Sequence, residues 1–313
     1  MKVDSGNFIK DLEQWQKLFL DNLKIKNKSI HTLRSFKKMT DDFIEFCRSQ
    51  DEIEKISDFN RIFLNLFLME TKESILKRKP RNAKNVSNWT INSYIATIRA
   101  FLGFISDNNE EMIDLIPLFR KIKRLSVQTE VPRFTPEENM RILSGLAREK
   151  KSKSLRKLRN ALAFHILYYC GLRASELLGI KLKDITEASK REFYNIKVVG
   201  KGSKERIIPI KKEIIEDLLR VVARYCSPED RVFNIAYETL YRNTNAFLKR
   251  CSIDKTKRGN HIFRHNLATL LVQKNTNMQI IQDILGHSNI ATTARFYSRV
   301  AEKDKIDALE KLV

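Results

Sequence analysis

Helical periodicity runs through the first 125 residues, and no β-prone segment interrupts it. Apolar residues recur three and four positions apart in "FIKDLEQWQKLFLDNL" and again in "TINSYIATIRAFLGFISDN". Ser29 is a typical N-cap residue directly ahead of a further stretch of this kind. Helices that each carry one apolar stripe bury it by packing against one another. We therefore expect residues 1–125 to form an all-α bundle.

The second half of the chain contains the one β-prone region. The runs "REFYNIKVV" and "ERIIPI" flank "GKGSK", whose glycines permit a tight turn, and together they predict a β-hairpin. The preceding "LGIKLKDI" is a candidate third strand. Helical patterns stand on both sides of this region. The predicted fold class is mainly α with a small antiparallel β element (α+β).

A change of composition separates the two halves. The segment 126–136, "SVQTEVPRFTP", holds two prolines that break a helix and favour extended backbone. It is expected to be a linker, with an ordinary interhelix loop as the alternative. The predicted domains are therefore 1–125 and 137–313.

The charge balance favours a polyanionic partner. Lys and Arg number 59 against 38 Asp and Glu, a formal net charge of +21. Such an excess in a globular chain is typical of nucleic-acid binding, although a lysine-rich proteome would also produce it.

The four cysteines are far apart in the sequence and are expected to be unpaired thiols. The first residues do not resemble a signal peptide, and the longest apolar run is too short to span a membrane, so a cytoplasmic protein with no membrane partner is expected.

Two short strings in the second half place basic residues in unusual positions. In "YYCGLRASELLGI", Arg173 begins a helix, where its charge opposes the helix dipole unless an anion binds there. The alternative is a surface pair between Arg173 and Glu176. In "GKGSKER", Lys201 lies at the tip of the predicted hairpin and can reach into a groove, or it is a solvated turn lysine.

The string "HIFRH" carries two histidines and an arginine on one predicted helix. His261 and Arg264 share a face, and His265 follows His261 by one turn. Metal binding by the two histidines is disfavoured because no acidic third ligand accompanies them and Arg264 would repel a cation. His265 is expected to be a core or supporting histidine. His287 follows a glycine that ends a helix, and Tyr297 follows ten residues later.

These side chains together suit phosphodiester transesterification without a metal or cofactor. Two arginines can stabilise a pentacovalent phosphorus, and a tyrosine can attack it to form a phosphotyrosine. An imidazole and a lysine can move protons to and from the tyrosine and the leaving 5′ oxygen. The energy of the broken bond is kept in the phosphotyrosine, so strands can be rejoined without ATP.

The order of these residues resembles the tyrosine recombinase (lambda integrase) family. The strings that carry the resemblance are "GLRASEL", "GKGSKER", "HIFRH", "LGHS" and "ATTARFY". The resemblance covers the whole second half, and the helical first half resembles the family's core-binding (SAM-like) domain. It implies a catalytic domain at 137–313 and, in size and layout, a Xer-like two-domain member.

The resemblance also implies a role for each matching residue. Arg173 and Arg264 would bind the scissile phosphate, and Lys201 would protonate the leaving oxygen. His261 would act in acid–base catalysis and His287 would hydrogen-bond the phosphate. Tyr297 would be the nucleophile, and Glu176 would orient the neighbouring basic groups. The His287–Tyr297 spacing of ten departs from the nine of many members. One added helical residue would turn the hydroxyl by about 100° unless a loop absorbs it.

Partners and cellular role follow only from the resemblance. It implies duplex DNA with inverted half-sites and a homotetramer on two sites, joined through the apolar stripe of the tail "SRVAEKDKIDALEKLV"; the alternative is a tail that folds back on its own domain. An accessory activator protein is left open. The run "KRKPR" supplies candidate DNA-binding residues: Lys77, Arg78, Lys79 and Arg81. Chromosome or plasmid dimer resolution is the expected role, with integration of a mobile element, a type IB topoisomerase-like activity and an inactive DNA-binding protein as alternatives.

Overall fold

A computed structural model describes most of the chain. The residues it describes are 3, 5–50, 52–78, 85–111, 113–120, 122–127, 133–200, 204–254, 256 and 259–286. They fall into two compact units, Met1–Thr129 and Glu130–Val313. Over these ranges, no helix combines the length and the apolarity needed to cross a lipid bilayer.

The regular elements in the described residues of unit 1 are all helical. Its helices are α1 (Phe8–Ile25), α2 (Ile30–Arg48), α3 (Arg61–Lys77), α4 (Asn88–Asn108) and α5 (Ile116–Arg120). The first four begin at polar N-caps whose side chains accept a backbone N–H, which satisfies donors left open at a helix start. The predicted cap at Ser29 is confirmed, because its hydroxyl accepts from the N–H of Thr32.

Aromatic side chains dominate the core of unit 1. Phe43 and Phe101 are fully buried, and Phe43 lies edge-on to Phe67 with ring centroids 5.0 Å apart. The predicted inward stripe of α4 is buried along its whole length: Ile91, Tyr94, Ile95, Ile98 and Leu102. The periodicity therefore identified both the helices and the faces that they bury.

Seven helices lie in the described residues of unit 2, and one of them is central. Its helices are α6 (Pro136–Glu149), α7 (Leu155–Cys170), α8 (Ala174–Gly179), α9 (Lys212–Ala223), α10 (Tyr237–Arg250), α11 (His261–Gln273) and α12 (Met278–Leu285). Helix α7 is buried on nearly all sides, and its Phe164 stacks on Phe247 of α10.

Pro136 was expected to belong to the linker, but it is the first residue of α6. Thr135 caps that helix and exchanges hydrogen bonds with Glu138, and proline is favoured at a first helical position because its missing N–H has no partner there anyway.

The sheet of unit 2 has three antiparallel strands in the order β1-β2-β3. They are β1 (Ile185–Glu187), β2 (Phe193–Val199) and β3 (Glu205–Lys211), and the predicted hairpin pairs β2 with β3. The third strand lies later than expected: of "LGIKLKDI", only the final Ile185 belongs to β1. The residues before it form the end of α8 and a 3₁₀ turn that Asp184 closes by accepting the N–H of Lys181.

The four cysteines are unpaired, as their spacing predicted. Burial raises the pKa of the Cys170 thiol to about 12, which keeps it protonated and unreactive. The three buried thiols, those of Cys47, Cys170 and Cys251, therefore act as small apolar side chains in the two cores.

Candidate active site

Arg173 stands where α7 gives way to α8. Gly171 ends α7 with a left-handed backbone (φ 60°), and Arg173 is the N-cap of α8 two residues later. Its guanidinium donates to Glu176 Oε1 (2.7 Å) and to the carbonyl of Gly286 (3.0 Å). Its backbone N–H donates to Glu176 Oε2 (2.8 Å). The prediction that Arg173 begins a helix is confirmed.

Glu176 is buried, so the expected alternative of a surface pair with Arg173 is wrong. Its side chain is only 1% exposed, whereas that of Arg173 is 31% exposed. Burial alone would raise the pKa of Glu176, but hydrogen bonds and charge from Arg206 and Arg173 lower it to about 2. A carboxylate that stays ionised here offsets the cost of placing a guanidinium at a helix N-terminus.

Arg206 on β3 is the second partner of Glu176, and it is not among the residues predicted for the site. Its guanidinium makes two hydrogen bonds of 2.9 Å to the two carboxylate oxygens, and its Nε donates to the carbonyl of Ile284 (3.1 Å). A signal was present: Arg206, Ile208 and Ile210 alternate along β3 and point to the same buried side. A charged residue on the inward side of a strand requires a buried partner of opposite charge.

Arg264 brings a further buried cation to the same region. It lies on α11, 5% exposed, and its Nη1 donates to the carbonyl of Gly171 (3.2 Å). Its Nη2 is buried and has no hydrogen-bond partner among the described residues. Burial, with the charge of Arg173 nearby, lowers the pKa of Arg264 to about 9, which leaves the group charged at neutral pH. This donor lacks the acceptor that an anion would supply.

The two histidines of α11 differ in environment. His261 is the first residue of the helix and is exposed. Desolvation of its ring and the charges of Arg264 and Arg173 lower its pKa, which favours the neutral imidazole that a general base requires. His265, one turn later, is half-buried, and burial together with His261 and Arg264 lowers its pKa to about 4. His265 therefore stays neutral inside the unit, in line with the supporting role expected for it.

The other predicted catalytic residues lie outside the described residues: Lys201, His287 and Tyr297. The structure does describe the residue before Lys201 and the residue before His287. Gly200 follows β2, and Gly286 ends α12 with φ 64°, so the prediction of a glycine-terminated helix ahead of His287 is confirmed. Both glycines lie beside Arg206, since a Cβ atom would be 3.5 Å from its Nη1 at Gly200 and 2.7 Å at Gly286.

The basic run proposed for DNA binding belongs to unit 1. Lys77 is the last residue of α3 and Arg78 its C-cap, and both are exposed. Lys79 and Arg81 lie outside the described residues. Helix α3 therefore extends one residue into the run.

The described site is thus a cluster of three guanidinium groups around a single carboxylate, with a neutral imidazole at its edge. Arg173 and Arg206 are paired with Glu176, while Arg264 retains an open donor. The excess positive charge and the unused N–H suit an oxyanion with several non-bridging oxygens, such as a phosphodiester.

Comparison with known proteins decides the family. Residues 132–304 match the model of the phage integrase family. The chain belongs to the phage integrase family. A tyrosine recombinase of Thermosipho africanus is 30% identical to it over 302 residues, which cover 94% of this chain and 98% of that protein. Tyrosine recombinase XerC of Staphylococcus aureus is 28% identical over 293 residues, 90% of each chain. The chain is accordingly a Xer-like site-specific tyrosine recombinase, and the expectation of an enzyme of DNA strand exchange is confirmed.

Solved structures show the same fold. A XerH site-specific recombinase bound to a palindromic difH substrate, in a post-cleavage complex, aligns with a TM-score of 0.75 at 22% identity, covering 96% of this chain and 84% of that one. A lambda integrase dimer bound to a COC′ core site aligns with a TM-score of 0.64 at 16% identity, covering 93% and 79%. The predicted mainly α fold with a small antiparallel sheet is confirmed for this recombinase.

Proposed function

We propose that this recombinase cleaves and rejoins duplex DNA through a 3′-phosphotyrosine at Tyr297. The observation that carries the proposal is the buried Arg264, whose Nη2 has no partner among the described residues and lies in a region of excess positive charge. Desolvating an arginine and leaving a donor open is costly unless a ligand completes the site. A scissile phosphate supplies the missing acceptor and the missing negative charge.

Each predicted catalytic residue has a step in this reaction. Arg173 and Arg264 hold the non-bridging oxygens and stabilise the charge of the pentacovalent transition state. His261 accepts the Tyr297 proton as the tyrosine attacks phosphorus, and its lowered pKa supports that role. Lys201 gives a proton to the departing 5′ oxygen, and His287 hydrogen-bonds the phosphate. Glu176 orients Arg173, and reversal of the same steps joins the new strands.

DNA binding is proposed to involve both halves of the chain. The predicted domains, a core-binding domain at 1–125 and a catalytic domain at 137–313 joined by 126–136, would each contact the duplex. Two exposed cations, Lys77 and Arg78, stand at the end of α3 and would contact the phosphate backbone together with Lys79 and Arg81.

The assembly and cellular role are proposed from the relatives. The solved structures include a lambda integrase tetramer bound to a Holliday junction, and several curated relatives carry Xer names. We infer a homotetramer on two sites with inverted half-sites, which acts in chromosome or plasmid dimer resolution. The alternative role is integration of a mobile element, since the integrase of the transposon Tn1549 also has this fold, with a TM-score of 0.65.

Deleting 303–313 should abolish pairing of two sites in a synapsis assay and leave binding to one site intact. Normal synapsis would contradict docking through the tail.

A covalent-trapping experiment tests the chemistry. A binding site is first selected from a random-sequence duplex pool with the full chain. A duplex carrying that site and a nick near the cleavage position then loses a short fragment on attack, so the protein–DNA ester accumulates. We expect a covalent band with the natural chain and none with Tyr297→Phe. A chain that binds the selected site yet forms no band would instead be the inactive DNA-binding protein considered above.

A further inference from the structure

Arg206 closes a ring of hydrogen bonds within the cluster. Arg173 donates to Glu176 and to the carbonyl of Gly286, while Arg206 donates to the same carboxylate and to the carbonyl of Ile284. Ile284 and Gly286 both belong to the end of α12. The ring therefore joins the start of α8, the inward side of β3 and the end of α12.

The position of Arg206 leaves little freedom to its guanidinium. The side chain is 14% exposed and binds Glu176 with two parallel hydrogen bonds. Gly286 lies against it so closely that a Cβ there would come within 2.7 Å of Nη1 and 2.8 Å of Cζ. The last carbonyls of a helix carry partial negative charge, so two guanidinium groups at the end of α12 are favourably placed.

We propose that Arg206 is a positioning residue for strand cleavage: it holds Glu176, and through it the Arg173 guanidinium, in a fixed position relative to the end of α12. The inference rests on the proposed function, in which Arg173 binds the scissile phosphate. Arg206 itself has all three of its nitrogens engaged within the protein, so in this inference it does not bind the phosphate directly. Its contribution passes through Arg173.

Lysine cannot replace Arg206 in this ring. A planar guanidinium presents donors in two directions, so it binds both carboxylate oxygens and a carbonyl at once, whereas an ammonium is a single point of charge. Arg206→Lys keeps the charge beside Glu176 and opens the ring. Arg220→Lys is the matched control, because Arg220 lies exposed on α9 and pairs only with Glu216 among the contacts described.

The first measurement is the single-turnover rate of covalent complex formation on the nicked duplex at saturating protein. Misplacing a reacting group by about 1 Å can lower a rate by roughly 10²-fold, so we expect Arg206→Lys to lose about 10–100-fold. The dissociation constant for the intact site should change by less than about threefold, because the nitrogens of Arg206 are engaged within the protein. Arg220→Lys should match the natural chain. Glu176→Asp, which shortens the carboxylate, provides a second opening of the ring with the same expected loss.

A double variant separates positioning from general loss of structure. Arg173→Lys already opens the ring, so adding Arg206→Lys should lower the rate by less than about threefold more. Losses that multiply would show that the two residues act independently and would overturn the inference. Thermal melting of each variant, with the fraction of binding-competent protein, corrects the rates for unfolded chain.

A chemically altered substrate tests which group Arg206 serves. A 5′-bridging phosphorothiolate has a sulfur leaving group that departs without a proton, so it should restore cleavage by Lys201→Ala. It should leave Arg206→Lys slow, because the defect there is in holding the phosphate; full restoration would overturn the inference.

Absence of a covalent band with the natural chain would refute the proposed function itself. A covalent band that forms at the same rate with the natural chain and with Arg206→Lys would refute only the role of Arg206.

Discussion

Single residues set the electrostatics of the site, and Arg264 and Arg173 contribute in different ways. Arg264 is buried with an open donor, whereas Arg173 is partly exposed and already bound to Glu176. Each is proposed to bind the transition state more tightly than the ground state, and the loss of such a contact costs catalysis rather than binding.

Replacing either arginine should therefore separate binding from cleavage. Arg264→Ala and Arg173→Ala should each lower single-turnover cleavage by about 10²–10³-fold, the usual effect of removing one preorganised contact to a transition state. Binding to the same site should remain, because most of the affinity comes from other phosphates. Gel-shift titration and trapping on the nicked duplex measure the two effects, and cleavage at the natural rate by either variant would refute its assignment to the phosphate clamp.

Buried histidines should make this recombinase sensitive to mild acid. Burial lowers the pKa of His165 to about 4, and burial with His261 and Arg264 nearby does the same for His265. An unfolded histidine has a pKa near 6.5, so between these values the unfolded chain binds protons that the folded chain excludes. The stabilising contribution is fully present above about pH 6.5 and is lost as the pH falls through about 4.

His165→Gln tests this dependence. His165 is buried and its Nδ1 lies 2.7 Å from the carbonyl of Ala161, a contact that glutamine can also make without titrating. From pH 7 to pH 5 the variant should lose about 1–2 kcal/mol less unfolding free energy than the natural chain, as urea titrations would measure. His31→Gln, at an exposed position of α2, is the control. Equal losses in all three chains would contradict the assignment.

At the scale of elements, the end of α7 fixes the distance between the helices of the site. Gly171 has a left-handed backbone, its carbonyl accepts from Arg264, and a Cβ there would lie 2.8 Å from Leu267 Cδ2 and 3.1 Å from Leu285 Cδ2. These leucines belong to α11 and α12. Only glycine permits the three helices to approach this closely.

Gly171→Ala should therefore lower both stability and cleavage. The left-handed backbone alone costs an alanine roughly 1–2 kcal/mol, and displacement of α11 would move Arg264. Gly103→Ala is the control, because that glycine lies inside α4 with no atom within 4 Å of an added Cβ. It should raise stability by about 0.5–1 kcal/mol and leave cleavage unchanged. Melting curves and the trapping assay check both, and an unaltered Gly171→Ala would refute the close-packing argument.

The elements also show what the sequence can predict. The hairpin was predictable because two β-branched runs flank glycines, and the N-cap at Ser29 because its side-chain chemistry is local. The third strand was misplaced because "LGIKL" is too short to distinguish a strand from a helix end, and Asp184 closes a 3₁₀ turn there. The alternation along β3 indicates that Arg206 needs a buried partner, but it does not identify the partners, Glu176 and Ile284, which are 30 and 78 residues away.

At the scale of the whole molecule, each unit has its own hydrophobic core, and charge is distributed unequally between the units. The cores comprise separate sets of buried side chains, one drawn from unit 1 and one from unit 2. Residues 130–313 contain 36 Lys and Arg against 21 Asp and Glu, a net charge of +15, whereas residues 1–129 contain 23 against 17, a net charge of +6. Most of the attraction for a polyanion should therefore come from unit 2.

Fragments 1–129 and 130–313 test this division. Each should unfold cooperatively by itself because each retains its own core. Binding of each fragment and of the full chain to one random-sequence duplex is measured over a series of salt concentrations. The slope of log affinity against log salt grows with the number of phosphates contacted, so it should be steepest for the full chain and steeper for 130–313 than for 1–129. A steeper slope for 1–129 would mean that the cations of unit 1, Lys77 and Arg78 among them, contact more phosphates than its small net charge suggests. Unit 1 would then supply most of the electrostatic affinity for DNA, and binding of unit 2 to DNA would depend on unit 1.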